Sequence, residues 1–410
     1  MNHGTMAARV MRWGKWIWVR NLITFYVMAV FTNMMGCSFY YLQPDILPGS
    51  NRVIPGEAQT IIFASCNNQN IQTPIFDVVS HINPDLFVWT GDIIYPDWPI
   101  PWPGNNLDKI AHKYALLSGS EAYRNMSSKI PVTGIYDDHD FGQNNGGAIY
   151  PYKKESKQLL QQFLQEDEHE ERSQHSGAYT WYRLQSGSLQ YALVLLDTRY
   201  FRENAGSHSQ LLGDGQWRWL DSILHQDSLD FYMIVSGTSI LSMDHENEGW
   251  WQYPAEKEKL FSLLGTVQVP VVFVAGDKHF GEMNMEQVHG VRYVEMVASG
   301  LTHTEAPGKH YHNSIQHSNR FVGENFGRIT IPDSMDGELI LEVLDKQGLV
   351  RLEQSISLNT TGDMVCNISS CGCQSQNNLS DLTEKGAVSS LTRSLQQTTS
   401  YLAGWPLMAE

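Results

Sequence analysis

The sequence is short of positive charge. Lysine and arginine total 28 against 44 aspartates and glutamates, for a net charge of −16. That balance excludes a phosphate-tracking nucleic-acid binder, which needs a basic face, so no nucleic-acid surface is expected. It leaves open chemistry on phosphate esters, because a bound cation inverts the local field. Also missing is an apolar run of the roughly 18 residues that a spanning helix needs. The N-terminal run covers only residues 22–35. Cysteine is scarce, with five residues, and no internal repeat recurs at a fixed period. What is present is a globular balance of 42% hydrophobic and 18% charged residues in 410, enough for a sizeable core. Aromatics are plentiful, with 12 Trp and 18 Tyr, which favours a sheet-rich fold with aromatic-lined clefts.

Acidic residues are absent before Asp45, whereas Arg9, Arg12, Lys15 and Arg20 all precede it. A basic flank, a short apolar core and Gly36-Cys37-Ser38 read as a secretory signal. Met34-Met35-Gly36-Cys37 resembles a bacterial lipoprotein cleavage box, with Cys37 lipidated. A retained anchor over residues 13–35 is the rival reading. Either one puts the remainder outside the cytoplasm, secreted or attached to the membrane by N-terminal lipid or helix. Four segments follow: 1–37 as signal, lipoprotein-type or anchor segment; 38–58 as a linker carrying Pro44, Pro48 and Pro55; 59–355 as the folded body; and 356–410 as a Ser/Thr/Asn/Gln-rich, poorly ordered tail.

The body opens with Thr60-Ile61-Ile62-Phe63-Ala64-Ser65-Cys66, an apolar strand ending at a cysteine. A helix over 73–81 leads to Leu86-Phe87-Val88-Trp89, a second strand that stops at Thr90-Gly91-Asp92. This is a βαβ unit and predicts an α/β fold with a parallel sheet. A helix is also predicted over 108–124. The strand over 130–136 ends in Asp137-Asp138-His139-Asp140, 189–197 in Asp197-Thr198-Arg199, 231–235 in Ser236-Gly237-Thr238, and 269–274 in Ala275-Gly276-Asp277-Lys278-His279. Another strand covers 291–297, and three short ones near 327–331, 338–344 and 349–355 read as antiparallel. Any one polar strand end is ordinary turn chemistry. Six of them along one edge, drawn from metal-ligand residue types, point to a site. Asp92 and Tyr95 lie three apart on one turn, so both can face one ion. A carboxylate can bridge two ions roughly 3.5–4 Å apart, and Asp92 is the natural bridge. Cys66, Tyr95 and His279 suit a higher-valent iron, whereas Asp277 and an Asn carbonyl suit a hard ion such as calcium.

Ser65-Cys66, Gly91-Asp92-Ile93-Ile94-Tyr95, Asp137-Asp138-His139-Asp140 with Asn144-Asn145, Asp197-Thr198-Arg199 and Gly276-Asp277-Lys278-His279 occur in that order. The set resembles the PhoD-like alkaline phosphatases of the calcineurin-like metallophosphoesterase superfamily over about residues 60–305. The resemblance implies a four-layer αββα sandwich with two mixed β-sheets, so that 59–355 becomes a PhoD-like metallophosphatase domain. It implies Fe(3+) at Cys66, Asp92, Tyr95 and His279, and Ca(2+) at Asp92, Asn144 and Asp277, with Asn145 the alternative to Asn144. Longer relatives carry an N-terminal β-domain. Here about twenty residues separate the signal from the first strand, so the chain resembles the short form.

The implied activity is hydrolysis of phosphate mono- or diesters by a hydroxide activated between two metals. Arg199 is expected to neutralise phosphate oxygens, with a strand-end salt bridge as the alternative. By analogy with the superfamily's Asn-His-Asp block, His139 is expected to protonate the leaving oxygen, oriented by Asp138 or Asp140. Its alternative is a hydrogen bond to a metal ligand. His303 either supports a ligand or contacts substrate, and the aromatics of the Pro- and Trp-rich stretch 96–103 either wall the pocket or have a plain packing role. With Cys37 given to lipid and Cys66 to metal, Cys366, Cys371 and Cys373 leave one disulfide and one free thiol. The expected partner is a phosphoester substrate, and the expected state is a monomer. Rival readings are a phospholipase D-like phosphodiesterase on the same site and a metal-binding surface protein without catalysis.

Overall fold

The continuous apolar runs are strands because both of their faces are buried. On the strand over Leu189–Leu196, Tyr191, Leu193 and Leu195 enter one hydrophobic cluster, while Ala192, Val194 and Leu196 enter a second. The next two strands repeat this split, with Met233 and Val235 against Tyr232 and Ile234, and Val272 and Val274 against Val271 and Phe273. The period of two sends alternate side chains to opposite faces, so a sheet covered on both sides needs apolar residues at every position.

A computed structural model describes residues 53–96, 107–243, 248–306, 313–315 and 320–359. The N-terminal signal or anchor segment, most of the linker, residues 97–103 of the Pro/Trp stretch, and the tail with its three cysteines lie outside the described residues. Among the described residues, no helix is long and apolar enough to cross a membrane. In chain order the elements are β1 (Thr60–Ala64), α1 (Ile75–Ile82), β2 (Leu86–Thr90), α2 (Leu107–Gly119), α3 (Glu121–Ser127), β3 (Val132–Ile135), α4 (Asp138–Phe141) and α5 (Lys153–Leu164). Then come β4 (Thr180–Ser186), β5 (Leu189–Leu196), α6 (Gly213–Leu224), β6 (Phe231–Ser236), α7 (Pro254–Leu264), β7 (Val271–Ala275), β8 (Gly281–Val288), β9 (Val291–Ala298), β10 (Asn325–Thr330), β11 (Glu338–Asp345) and β12 (Val350–Ser357).

Two six-stranded mixed sheets result, ordered β12-β11-β10-β1-β2-β3 and β4-β5-β6-β7-β9-β8. In the first, β1, β2 and β3 run parallel and β10 to β12 are antiparallel. In the second, β5, β6, β7 and β9 run parallel, with β4 and β8 antiparallel at the two edges. The inner faces of both sheets share one core, where Phe63 and Val343 join Leu193, Met233 and Met296. Helices cover the outer faces. Phe76 of α1 packs edge-on against Trp89 of β2 at 6.3 Å, and Phe261 of α7 meets Phe273 of β7 at 6.3 Å. The fold is therefore the expected four-layer α/β sandwich with two mixed sheets. The single helix predicted over 108–124 is broken at Gly119-Ser120 into α2 and α3.

Candidate metal centre

The C-terminal ends of β1, β2 and β3 meet those of β5, β6 and β7. Two close approaches make this possible. Gly91 sits at φ +97°, and a Cβ on it would lie 2.5 Å from Asp137 Cβ. A Cβ on Gly237 would overlap Asp137 Oδ1. Only glycine fits either place. Of the six polar strand ends, two are structural. Asp197 accepts from Tyr136 Oη at 2.5 Å and from the Ala178, Arg199 and Tyr200 amides. Ser236 Oγ donates to the Thr238 carbonyl and receives Trp250 Nε1.

The remaining ends build donor groups around Asp92. Its Oδ2 lies 3.0 Å from Tyr95 Oη and 3.7 Å from Cys66 Sγ, and Tyr95 Oη lies 3.3 Å from His279 Nε2. Its Oδ1 accepts the His139 amide at 3.3 Å. Three sets have donor atoms within 4.8 Å of one another and so could hold an ion: Cys66, Asp92 and His279; Asp92, Asp138 and His139; and Asp92, Asp137, Asp138 and Asp277. Asp92 belongs to all three. Both oxygens of Asp137 are taken by Arg199, at 2.5 and 2.8 Å, which leaves Asp92, Asp138 and Asp277 as the carboxylate set. The donor chemistry fits two different ions. Thiol, phenol and imidazole surround one side of Asp92, and hard oxygens surround the other.

Without a cation these groups disfavour one another's charge. Burial pushes the Cys66 thiol, the Asp92 carboxyl, the Tyr95 phenol and the Asp277 carboxyl well above their ordinary values, and neighbouring carboxylates add to the rise. Burial, with His303 and His139 nearby, pushes His279 down to about 3. A bound metal reverses each of these preferences except that of His279, which already stands neutral for coordination.

The backbone is strained at the same residues. Cys66, Asp92, Asp277 and His279 adopt φ of 57°, 49°, 71° and 63°. Such left-handed conformations cost of order 1–3 kcal/mol each and persist where the surroundings over-determine them. Backbone bonds supply that bracing. Asn67 N donates to the Asp92 carbonyl at 2.8 Å, His303 N to the Cys66 carbonyl at 2.9 Å, and Glu305 N to the His279 carbonyl at 2.8 Å.

The other residues expected at the site fall in different places. His139 packs its ring on Tyr95 at 4.2 Å, with Nε2 4.0 Å from Asp138 Oδ1. Asp140 points elsewhere, accepting the Ile93 and Asp137 amides at 3.0 and 2.7 Å, so it is not the group that orients His139. His303 stacks on His279 at 4.3 Å and packs on Tyr95 at 4.7 Å, walling the side of Asp92 that carries the phenol and imidazole. Asn144 is exposed and lines a cavity of about 960 Å³ together with Asp138, His139, Asp277 and His279. Arg199 corrects the phosphate-contact expectation. It is fully buried, bidentate on Asp137 and 2.7 Å from Glu248, which is the strand-end ion pair given as its alternative.

Sequence reasoning missed Asp138 as a donor, as well as Arg202 and Glu248 on the cavity wall. Arg202 follows Arg199 by three residues, a spacing that could have flagged it. Glu248 follows an acidic stretch of sequence with no motif and carried no signal.

The sequence model of the PhoD-like phosphatases matches residues 61–328. Comparison with curated protein sequences gives no match. The structure of PhoD aligns with a TM-score of 0.55 at 16% identity, over 78% of this chain and 69% of its own. GAP50, the anchor in the inner membrane complex of Plasmodium, gives 0.48 at 12% identity, over 74% of this chain and 89% of its own. A dimetal phosphatase from Danio rerio gives 0.47 at 13% identity, over 74% and 100%. At these identities the structural likenesses speak to fold alone. The family model covers more than half of the sequence and the donor groups supply a metal-binding active site, so the chain belongs to the PhoD-like phosphatase family and is a phosphoric ester hydrolase.

Proposed function

We propose that the chain is an alkaline phosphatase-type enzyme acting on phosphate mono- and diesters. In this reading Fe(3+) is held by Cys66, Asp92, Tyr95 and His279. Ca(2+) is held by Asp92, Asn144 and Asp277, joined by Asp138. The observation that carries it is the membership of Asp92 in all three donor groups, at the wall of a cavity that His139 also lines. When bound, two such ions supply Lewis-acid activation of water and neutralise phosphoryl charge. His139 stands on the cavity side of the cluster and holds at Nε2 the proton that a departing oxygen takes. Its backbone N–H donates to Asp92 Oδ1, which ties this acid to the carboxylate shared by all three donor groups. Arg199 acts at one remove, fixing Asp137 and through it the turn that carries Asp138 and His139. A cavity of about 960 Å³ has room for groups on both sides of phosphorus, which supports diesters alongside monoesters. The basic flank and short apolar run at the N-terminus support an extracytoplasmic location, secreted or membrane-attached.

Metal analysis alongside a visible absorption spectrum tests the metal assignment. Tyrosinate on ferric iron gives a coloured charge-transfer band, and Tyr95→Phe is expected to remove it. A band that persists in that variant overturns the ligand set. Turnover of an aryl phosphate against a bis-aryl phosphate then ranks the two ester classes. Hydrolysis of neither by metal-loaded protein leaves the non-catalytic metal-binding reading.

A further inference from the structure

Glu248 is a cavity-wall acid that belongs to none of the donor groups. Two guanidinium groups grip it. Oε2 accepts from Arg199 Nη2 at 2.7 Å and Arg202 Nη1 at 2.8 Å, and Oε1 accepts from Arg202 Nη2. Its carbonyl oxygen accepts from the ammonium of buried Lys278 at 2.8 Å. Residue 248 is thus held through both side chain and backbone. Charge counting shows what this does to the cavity. Arg199 and Arg202 face Asp137 and Glu248, two cations against two anions, so the charges balance and the Arg202 fork is occupied; of the Arg199 nitrogens only the buried Nη1 lacks a partner. The Arg202–Glu248 contact is a two-pronged fork, the arrangement an arginine makes equally with a phosphate. Arg202 lines the same cavity as Asp138 and Asp277, so a phosphate seated on its fork shares that cavity with the donor cluster.

We propose that Glu248 is a built-in substitute for a substrate anion. Phosphate oxygens of the ester displace its carboxylate and take over the Arg202 fork, which makes Arg202 an anion-binding residue and Glu248 a brake on affinity. This rests on the phosphoester reading above. The test is calorimetric titration of inorganic phosphate into the full-length, metal-loaded protein. Glu248→Gln keeps the shape but not the charge. It is expected to bind phosphate at least about tenfold more tightly, because apparent affinity scales with the fraction of molecules whose site is open. Arg202→Met added to Glu248→Gln is expected to abolish the gain. Unchanged or weaker phosphate binding by folded Glu248→Gln overturns the proposal. So does loss of metal in that variant, which would make Glu248 a ligand. If Glu248→Gln does not fold, Glu248→Asp, with its shorter reach, is expected to tighten phosphate less strongly, and no tightening overturns the proposal there too. Wild-type turnover of an aryl phosphate, measured alongside, separates the two readings. Turnover without tightening removes the brake alone, and an inert wild type removes the hydrolytic reading.

Discussion

Arg199→Met separates the two roles an arginine at a strand end can have. The guanidinium gives Nε and Nη2 to the two oxygens of Asp137, and both side chains are fully buried. Taking the arginine away strands Asp137 in a dry environment, while Glu248 keeps Arg202. Removing one partner of a buried pair costs about 3–5 kcal/mol, and methionine fills most of the vacated space. Divided by the unfolding entropy of a domain this size, that loss lowers the melting temperature by about 5–8 °C. Thermal unfolding of metal-loaded protein reads the shift directly. The double variant Arg199→Met, Asp137→Asn removes both charges and is expected to recover most of the loss, since the penalty belongs to the orphaned carboxylate. A single variant that melts with the parent while turnover collapses would refute this reasoning and return Arg199 to the substrate.

Asp140 caps α4 and accepts the Ile93 amide from the Asp92 turn. Asp140→Ala leaves those donors unmatched and is expected to destabilise by about 2–4 kcal/mol in urea unfolding, with Asp140→Asn milder. Lys157 is buried and donates to the His175 carbonyl at 2.5 Å; burial first, then Arg172, push its ammonium from 10.5 down to about 8. The folded state therefore releases this proton before the unfolded state does, so its unfavourable contribution is full below about pH 8 and fades as pH rises towards 10.5. Lys157→Met is expected to raise the melting temperature most at neutral pH, with the gain shrinking across that window. For the ions, Cys66→Ser is expected to lose the iron-type metal, Asp277→Asn the calcium-type metal, and Asp92→Asn both, as read by elemental analysis after dialysis.

The central strands were legible because burial on two faces demands unbroken apolar runs, as in Leu86–Thr90 and Leu189–Leu196. β4 and β8 were not. Thr180–Ser186 and Gly281–Val288 are sheet edges that mix polar with apolar residues. The helix end at Gly119-Ser120 was lost for a related reason, since the polar pattern runs on through it. Ligand candidates were legible because they sit at strand ends, a local property. The partner of Arg199 was not, because Asp137 lies 62 residues away on the other sheet. Asp138 was seen but given to His139, since adjacency in the chain hid its nearness to Asp92 and Asp277.

The left-handed backbone at Cys66, Asp92, Asp277 and His279 changes how substitutions there should be interpreted. Alanine at any of them removes the donor atom yet keeps a side chain that resists this conformation. Its effect therefore mixes lost coordination with retained torsional tension. Glycine removes both. Once the entropy that glycine adds to the unfolded chain is subtracted, the glycine-minus-alanine difference in metal-free stability at one position isolates the tension the fold holds there. Comparing the four positions would show how unevenly the scaffold distributes that preload between its two sheets.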